Sequence, residues 1–176
     1  MSGKKLAILP FIILFFVMGL DEPGFAEDSN ISRASLAGML GVQIVVEETQ
    51  QNLQRNTGKS GYTAWQIQRD VEARLRDRGI RVVSGGDWMK VPGRPVLYIN
   101  INTHETEKYW YAYDVKLELR QIVYLEANPK TETLANTWSI NMTGIANIGN
   151  LDIIKSDTMV LVERFVNAYK SVNTKD

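Results

Sequence analysis

The stretch YWYAYDVKLELRQIVYLE, residues 109–126, alternates between two classes of side chain along most of its length. Its odd-numbered positions are aromatic or aliphatic except for Gln121, whereas its even-numbered positions are mainly charged, polar or small. Successive side chains of a strand point to opposite faces of the sheet, so this period of two predicts one long strand. One face of that strand is predicted to join the core, and the other to face water.

Four aromatic residues crowd the first five positions of this stretch and raise the question of a binding platform. Alternation assigns three of them to the predicted core face: Tyr109, Tyr111 and Tyr113. Trp110 falls on the wet face, together with Tyr124 near the other end of the strand. The sequence therefore retains these two residues as candidates for partner or ligand binding.

The segments on either side of this strand repeat the alternation. VLYININTHE, residues 96–105, places Tyr98 and Asn100 on its polar side. TLANTWSINMTGIA, residues 133–146, is predicted to face inward at four positions: Leu134, Trp138, Ile140 and Met142. The three segments predict an antiparallel meander with one wet face, on which Tyr98 and Asn100 are further candidate binding residues.

Two amphipathic segments and two shorter strands complete the predicted fold. Apolar residues recur at helical spacing in residues 62–78 and again in residues 151–169. GVQIVVEET, residues 41–49, and IRVVS, residues 80–84, predict strands on either side of the first helix. The order β-α-β-β-β-β-α predicts an α+β two-layer sandwich, with a mostly antiparallel sheet of about five strands and two helices on one face.

The N-terminus has the order of an export signal. Two lysines precede an apolar run over residues 6–20, and small residues follow it up to Ala26. This order predicts a signal peptide at residues 1–26, cleaved after Ala26, with retention as a membrane anchor as the alternative. The mature protein is then expected to be periplasmic or secreted, with a flexible segment at residues 27–38 and a single α+β domain at residues 39–173.

Composition narrows the range of partners. The chain has 176 residues, with 20 Lys and Arg, 20 Asp and Glu and no Cys. Without cysteine neither a lipoprotein anchor nor a disulfide can form, so the fold depends on its core alone. The balanced charge predicts no long-range attraction to nucleic acid or anionic lipid. The sequence leaves the oligomeric state open.

No motif supplies a catalytic or metal-binding constellation. The single histidine, His104, has no second His, no Cys and no Gly-x-Ser-x-Gly elbow to work with. Gly58 and Lys59 follow a predicted strand, but Leu53 stands where a phosphate loop requires glycine. We therefore expect no cofactor, no bound metal and no catalytic residue.

A Gly-rich loop, GGDWMKVPGRP, carries the last candidate binding residue. Trp88 in this loop could border a pocket, and the alternative is a surface loop with one anchoring aromatic residue. Acidic residues such as Glu47, Asp87 and Glu105 keep a carboxylate-dependent hydrolase as the least favoured interpretation, because such residues are most often merely solvated.

Several segments taken together resemble a family of uncharacterised exported, periplasmic bacterial proteins. The resemblance covers about residues 40–173 and includes no catalytic motif; its segments are IVVEET, IQRDVEARLRDRGIRVV, PGRPVLYININT, YAYDVKLELRQIV, NTWS and FVNAYKSVN. It implies a periplasmic protein of one small α+β domain and carries over no activity. The order of elements also resembles small envelope domains that bind other proteins, such as those that activate penicillin-binding proteins.

These observations favour a small, non-enzymatic interaction or accessory domain of the bacterial envelope, with an unidentified protein partner. The first alternative is a periplasmic protein that binds a small ligand or a glycan, since exposed Tyr and Trp beside Asn suit sugar stacking and hydrogen bonding. An exposed sheet edge offers a further route to a partner, through strand addition.

Overall fold

The computed structural model describes residues 28–48, Gln50 and residues 63–173. The predicted signal peptide and the segment around Gly58 and Lys59 lie outside these residues. The helices and strands follow in the order α1 (Asn30–Ala34), β1 (Gln43–Val46), α2 (Ala64–Asp77), β2 (Val96–Glu107), β3 (Trp110–Leu125), β4 (Asn128–Asn147) and α3 (Asp152–Asn173). Short 3-10 helices over Gly85–Lys90 and Ile148–Asn150 precede β2 and α3.

The described strands form one mixed sheet of four strands in the order β1-β2-β3-β4. β1 is parallel to β2, and the β2–β3 and β3–β4 pairs are antiparallel. The helix α2 is the crossover between the parallel pair, as such a connection requires. Ile99 lies opposite Leu117, and Leu117 lies opposite Ile140. The side chains of one face are therefore in register across β2, β3 and β4.

That face forms the core with the helices. α2 packs on β1, and α3 packs on β3 and β4. Both helices bury the apolar stripe that their spacing predicts, because residues three or four apart share one side of a helix. The stripe of α2 comprises Ile67, Val71 and Leu75, and that of α3 includes Ile154, Leu161 and Phe165. Thr63 caps α2 by accepting a hydrogen bond from the Gln66 amide, and Gly79 follows its end with a φ of 82°.

The α+β class is confirmed, but the predicted count of about five strands is wrong. The segment IRVVS contributes a single parallel bridge, between Val82 and Val42 at the edge of β1. The Val42 amide donates to the Arg81 carbonyl, and the Val83 amide donates to the Val42 carbonyl. The chain then turns away into the 3-10 helix, so this pairing ends after one residue. The predicted order also lacks α1, which precedes β1.

A β-bulge in β4 overturns the predicted inward position of Leu134. The pairing with β3 shifts by one residue between Trp138 and Asn136, which leaves Thr137 as the extra residue. A bulge of one residue reverses the alternation beyond it. Leu134 consequently pairs with Ile122 on the face opposite Trp138, and it is 55% exposed.

Tyr109 and Leu125, at the two ends of the opening stretch, were predicted to be core residues and are not. Tyr109 is half-exposed with a φ of 73° in the turn between β2 and β3. Leu125 lies where the β3–β4 hairpin extends beyond Val96, the first residue of β2, and it is also exposed. Between these ends, the odd-numbered residues of β3 from Tyr111 to Leu119 are buried on the core side, as predicted.

Part of the segment predicted to be flexible, residues 27–38, forms α1 and packs against the domain. Leu36 is completely buried in the core, and Asp28 accepts a hydrogen bond from the Trp138 indole at 3.0 Å. Asp28 also pairs with Arg33, whose hydrogen bond is the main cause that lowers the pKa of this carboxyl group. No helix among the described residues is long and apolar enough to cross a membrane.

Candidate functional site

The face of the sheet opposite the helices presents mainly polar and charged side chains. We call it the open face, since no helix or strand among the described residues packs over it. Its side chains come from alternate positions of all four strands. They include Glu47 after β1, Tyr98, Asn100, Asn102 and His104 of β2, Ala112, Asp114, Lys116, Glu118 and Arg120 of β3, and Ser139, Asn141, Thr143 and Ile145 of β4.

Glu47 joins the end of β1 to β2 through its carboxylate. Both the Tyr98 hydroxyl and the Asn100 side-chain amide donate hydrogen bonds to Glu47 Oε2. The bond from Tyr98 is the main cause that holds the pKa of Glu47 below its usual value. The same bond raises the pKa of Tyr98, because the phenol proton is shared with a negative charge. The pair therefore fixes the orientation of the Tyr98 ring at neutral pH.

Glu118 lies directly opposite Tyr98 and is the most enclosed charged group of the open face, with 8% exposure. Arg120 donates to its carboxylate from Nη2 at 2.6 Å and from Nε at 2.9 Å, and Lys116 pairs with the other oxygen. Burial raises the pKa of Glu118, but the bonds from Lys116 and Arg120 outweigh burial, so the pKa is lowered. Glu118 is thus held as an anion between two cations.

Arg120 connects the contacts around Glu118 with those around Glu47 and Tyr98. Its guanidinium lies 3.6 Å from the centroid of the Tyr98 ring, within the range of a cation–π interaction. One connected set of side chains therefore joins β2, β3 and the residue that follows β1. We call it the open-face network, and its members are Glu47, Tyr98, Asn100, Lys116, Glu118 and Arg120. Its two carboxylates and two cations balance, so this surface carries little net charge.

A shallow depression of about 570 Å³ continues the open face toward the β2–β3 turn. Its lining combines polar side chains with the apolar Ala112 and Ile145, and Ile145 is 65% exposed. The polar lining includes Gln50, Asn102, His104, Asp114 and Thr143. The depression and the open-face network adjoin, because Asn102 donates a hydrogen bond to Asn100.

The structure brings only two of the five candidate binding residues together. Tyr98 and Asn100 belong to the open-face network. Trp110 and Tyr124 are both exposed but occupy opposite ends of β3, about 45 Å apart at the usual rise of a strand. Tyr124 donates to Glu132, and this hydrogen bond is the main cause that raises its pKa. Trp88 anchors its loop by donating to the Pro95 carbonyl at 3.2 Å.

The acidic residues considered for hydrolysis are also dispersed. Glu47 is bonded to Asn100, and Glu105 lies five positions beyond Asn100 on β2. At the usual rise of a strand, Asn100 and Glu105 are therefore about 16 Å apart. Asp87 pairs with Lys90 within the 3-10 helix. Glycoside hydrolysis requires two carboxyl groups within roughly 10 Å of each other. Within the described part of the chain, no group of three or more His, Cys, Asp or Glu could hold a metal ion.

Three members of the network were not among the candidates predicted from the sequence, because the sequence indicated only a solvated ladder of alternating charge: Lys116, Glu118 and Arg120. The spacing of Glu118 between two cations on the same face of β3 is visible in the sequence. Its burial is not, since that depends on the neighbouring strands. The sequence matches no protein-family model and no curated protein.

Proposed function

We propose that the protein is an exported, non-enzymatic interaction domain of the bacterial envelope, and that the open face binds its protein partner. The observation that supports this most is the open-face network, in which charged and aromatic side chains are fixed while they remain accessible. A face that served only to contact water would not need a carboxylate enclosed by two cations and linked to a stacked Tyr–Arg pair.

Fixed side chains favour binding because their rotamer entropy is already lost before a partner arrives. Ordering one long side chain at an interface costs about 0.5–1.5 kcal/mol. Arg120 and Tyr98 already constrain each other, and Glu47 constrains the Tyr98 hydroxyl. Tyr and Arg are also the residues that most often dominate binding energy at protein interfaces. The Tyr98–Arg120 pair is therefore the proposed centre of the interface.

The proposed location rests on the sequence. The order of charged, apolar and small residues before Ala26 supports export, and the resemblance over about residues 40–173 supports the periplasm. The equal numbers of acidic and basic residues fit a partner that is recognised by short-range contacts rather than by long-range charge.

A second candidate function, binding of a small ligand or glycan, is supported by the depression of about 570 Å³, whose volume suits a small molecule. Against it, Arg120 already occupies one face of the Tyr98 ring, and the exposed aromatics Trp110 and Tyr124 are too far apart to form one stacking platform. A thermal-shift screen of envelope glycans separates the candidates, because a ligand at this site must raise the unfolding temperature.

The test of the proposed interface compares two matched cation–π pairs. Arg69 lies 4.7 Å from the ring centroid of Trp65, which is 64% exposed on α2, on the other side of the molecule. Affinity capture from envelope extract with quantitative mass spectrometry is run with the wild-type protein, with Arg120→Ala and with Arg69→Ala. Each variant is first checked for unchanged folding by circular dichroism.

We expect at least one envelope protein to be captured by the wild type and by Arg69→Ala, and to be reduced about tenfold or more with Arg120→Ala. Equal capture by both variants would remove the open face as the interface. Capture of nothing by the folded wild-type protein, together with a glycan that raises its unfolding temperature, would replace the proposal with the second candidate.

A further inference from the structure

Asp114 on the open face has fewer bonding partners than the carboxylates of the open-face network. Glu118 is paired with two cations, and Glu47 accepts two hydrogen bonds. Asp114 accepts one hydrogen bond, from the Asn141 side chain to Oδ1 at 3.1 Å, and no cation among the described residues pairs with it. Its second carboxylate oxygen, Oδ2, is therefore available to a donor from another molecule.

The distribution of charge along β3 explains why Asp114 has no cation. Lys116 is the next residue of the same face and could pair with either neighbour, Asp114 or Glu118. Its ammonium group lies 2.5 Å from Glu118 Oε1. Glu118 is only 8% exposed and would be costly to leave without its cations, whereas Asp114 is partly exposed and can be solvated. Lys116 therefore serves Glu118, and Asp114 can take a cation from a binding partner.

Asp114 lies at the middle of a row of hydrogen-bond acceptors in the depression of the open face. Asn102 of β2 is opposite Asp114 on one side, and Thr143 of β4 is opposite it on the other. The side chains of Asn102 and Thr143 are exposed, and each has an oxygen that can accept a further hydrogen bond. Because neighbouring strands are about 4.8 Å apart, the three side chains extend over about 10 Å of the depression.

The next row of the depression, toward the β2–β3 turn, is apolar on two of its three strands. Ala112 of β3 lies opposite Ile145 of β4, whose side chain is 65% exposed, and His104 of β2 completes the row. Two positions along a strand span about 7 Å, so this apolar surface lies close to the Asp114 carboxylate. A group that fits both rows combines a cation with an apolar stem.

An arginine side chain has this combination. Its aliphatic stem packs on apolar surface while its charged end keeps polar partners. Its guanidinium has five N–H donors, which can serve the Asp114 carboxylate and the neighbouring acceptors together, whereas a lysine ammonium has three donors and is more strongly hydrated. Arginine is also enriched among the residues that dominate binding at protein interfaces. The charge and the acceptors of the depression therefore favour arginine over lysine.

We propose that the depression receives an arginine side chain of the protein partner, with the guanidinium paired to Asp114 and the stem packed on Ala112 and Ile145. At about 570 Å³ the depression has room for the whole side chain. This inference rests on the proposed function, because it takes the open face as the interface, and it adds the residue type that the partner presents. The Tyr98–Arg120 pair and Asp114 are then two separate contacts of one interface.

The test titrates the isotope-labelled full-length protein with N-acetyl-arginine-N-methylamide, which reproduces an arginine within a peptide chain. Two-dimensional NMR follows the backbone amide shifts. The matching citrulline compound, which is neutral and nearly isosteric, is the chemical control. Asp114→Asn removes the charge of the depression, and Asp77→Asn makes the same change at the end of α2, on the other side of the molecule. Circular dichroism first checks that both variants fold as the wild type does.

We expect the arginine compound to shift the amides around Asn102, Asp114 and Thr143 in a saturable way, and the citrulline compound to leave them unchanged. The dissociation constant of the arginine compound should rise about fivefold or more in Asp114→Asn, because a charged hydrogen-bond partner is lost, and stay within about twofold in Asp77→Asn. The absence of saturable shifts, or equal binding of the two compounds, overturns the proposal. An unchanged constant in Asp114→Asn or tighter binding of the matching lysine compound overturns it as well.

Free L-arginine distinguishes a side chain of a protein from a free amino acid. We expect free arginine to bind within about threefold of the blocked compound, since the proposed contacts involve the side chain alone. A dissociation constant about tenfold or more below that of the blocked compound would show recognition of the α-amino and α-carboxyl groups. That result would overturn the assignment of the depression to a protein partner.

Adding Asp114→Asn to the capture experiment separates the failure of this inference from the failure of the proposed function. We expect the protein that Arg120→Ala fails to capture to be reduced with Asp114→Asn too. Capture that is reduced with Arg120→Ala but unchanged with Asp114→Asn removes the arginine contact and leaves the open face as the interface. Capture that is unchanged with both variants removes the proposed function, and with it a partner's arginine as the occupant of the depression.

Discussion

The two faces of this sheet come from the same strands and differ in what holds their side chains. On the covered face, aliphatic and aromatic groups pack under α2 and α3, where most of them are buried. On the open face, Glu118, Arg120 and Tyr98 are held by ion pairs, hydrogen bonds and ring stacking at the edge of water. Burial of apolar area stabilises a fold strongly, whereas accessible ion pairs contribute about 0–1 kcal/mol each. The comparison therefore separates stability, on the covered face, from the recognition that we propose for the open one.

The largest expected effect is on the covered face, at Trp138. This side chain is completely buried, its ring meets Phe165 edge-on at 5.4 Å, and its indole donates to Asp28. We expect Trp138→Ala to lower the free energy of unfolding by about 3–5 kcal/mol, because it removes a large apolar group and leaves a cavity. Equilibrium denaturation in urea measures the change.

A loss below about 1 kcal/mol for Trp138→Ala would contradict the division between the two faces, because a completely buried tryptophan would then contribute no more than a surface residue. Arg120→Ala serves as the control on the open face. Its guanidinium is partly exposed and Glu118 keeps its pair with Lys116, so we expect Arg120→Ala to lower the free energy of unfolding by about 1–2 kcal/mol, less than Trp138→Ala.

An intermediate effect is expected at Tyr113, where the covered face contains a polar contact. The Tyr113 hydroxyl donates to Asp157 on α3, and burial together with this carboxylate raises the pKa of Tyr113 from 10.0 to about 12. We expect Tyr113→Phe to lower the free energy of unfolding by about 1.5–3 kcal/mol at neutral pH, since it removes a hydrogen bond to a charged group. Urea denaturation measures it.

The raised pKa of Tyr113 also sets the direction of a pH effect. A pKa that is higher in the folded state means that the stabilisation is complete below pH 10.0 and is lost as the pH rises toward about 12. The difference in stability between wild type and Tyr113→Phe should therefore shrink over that interval. Tyr109→Phe, which removes an exposed hydroxyl in the turn between β2 and β3, is the control for the loss of a tyrosine hydroxyl at neutral pH. A constant difference would show that Tyr113 makes no proton-dependent contact.

Much of the covered face could be predicted from single segments of the sequence. The alternation of β3 assigned Tyr111, Val115 and Leu119 to the core, and the helical spacing assigned Ile67 and Phe165, because strand and helix periodicities are local properties. The bulge at Thr137 could not be predicted in the same way. It depends on the pairing of two strands, and it reversed the predicted position of Leu134.

The open-face network was harder to predict, for a related reason. Alternation gives the face on which Tyr98 and Glu118 lie but does not give their neighbours, which depend on register. Glu47 reaches Tyr98 across 51 positions of the chain, through a parallel pairing that no local pattern specifies. The aromatic residues of the opening stretch instead suggested Trp110 and Tyr124 as candidate binding residues. The fold places these two residues at opposite ends of β3.

The smallest effect is expected at Trp110, a residue on the open face that matches Trp138 on the covered face. It is the same residue type as Trp138 and lies in the same sheet. Its side chain, however, is on the open face and is 46% exposed. We expect Trp110→Ala to lower the free energy of unfolding by about 1 kcal/mol or less, since much of the ring is already in water. The measurement is the same urea denaturation as for Trp138→Ala.

Two tryptophans in one sheet thus provide an internal scale for the two faces. If Trp110→Ala costs as much as Trp138→Ala, the open face contributes to stability like the covered one, and its side chains need no partner to explain them. If the cost is small, the Trp110 ring is held in the structure without stabilising it. Trp110→Ala should then be examined in the capture experiment, where reduced capture would extend the interface from Arg120 to the start of β3.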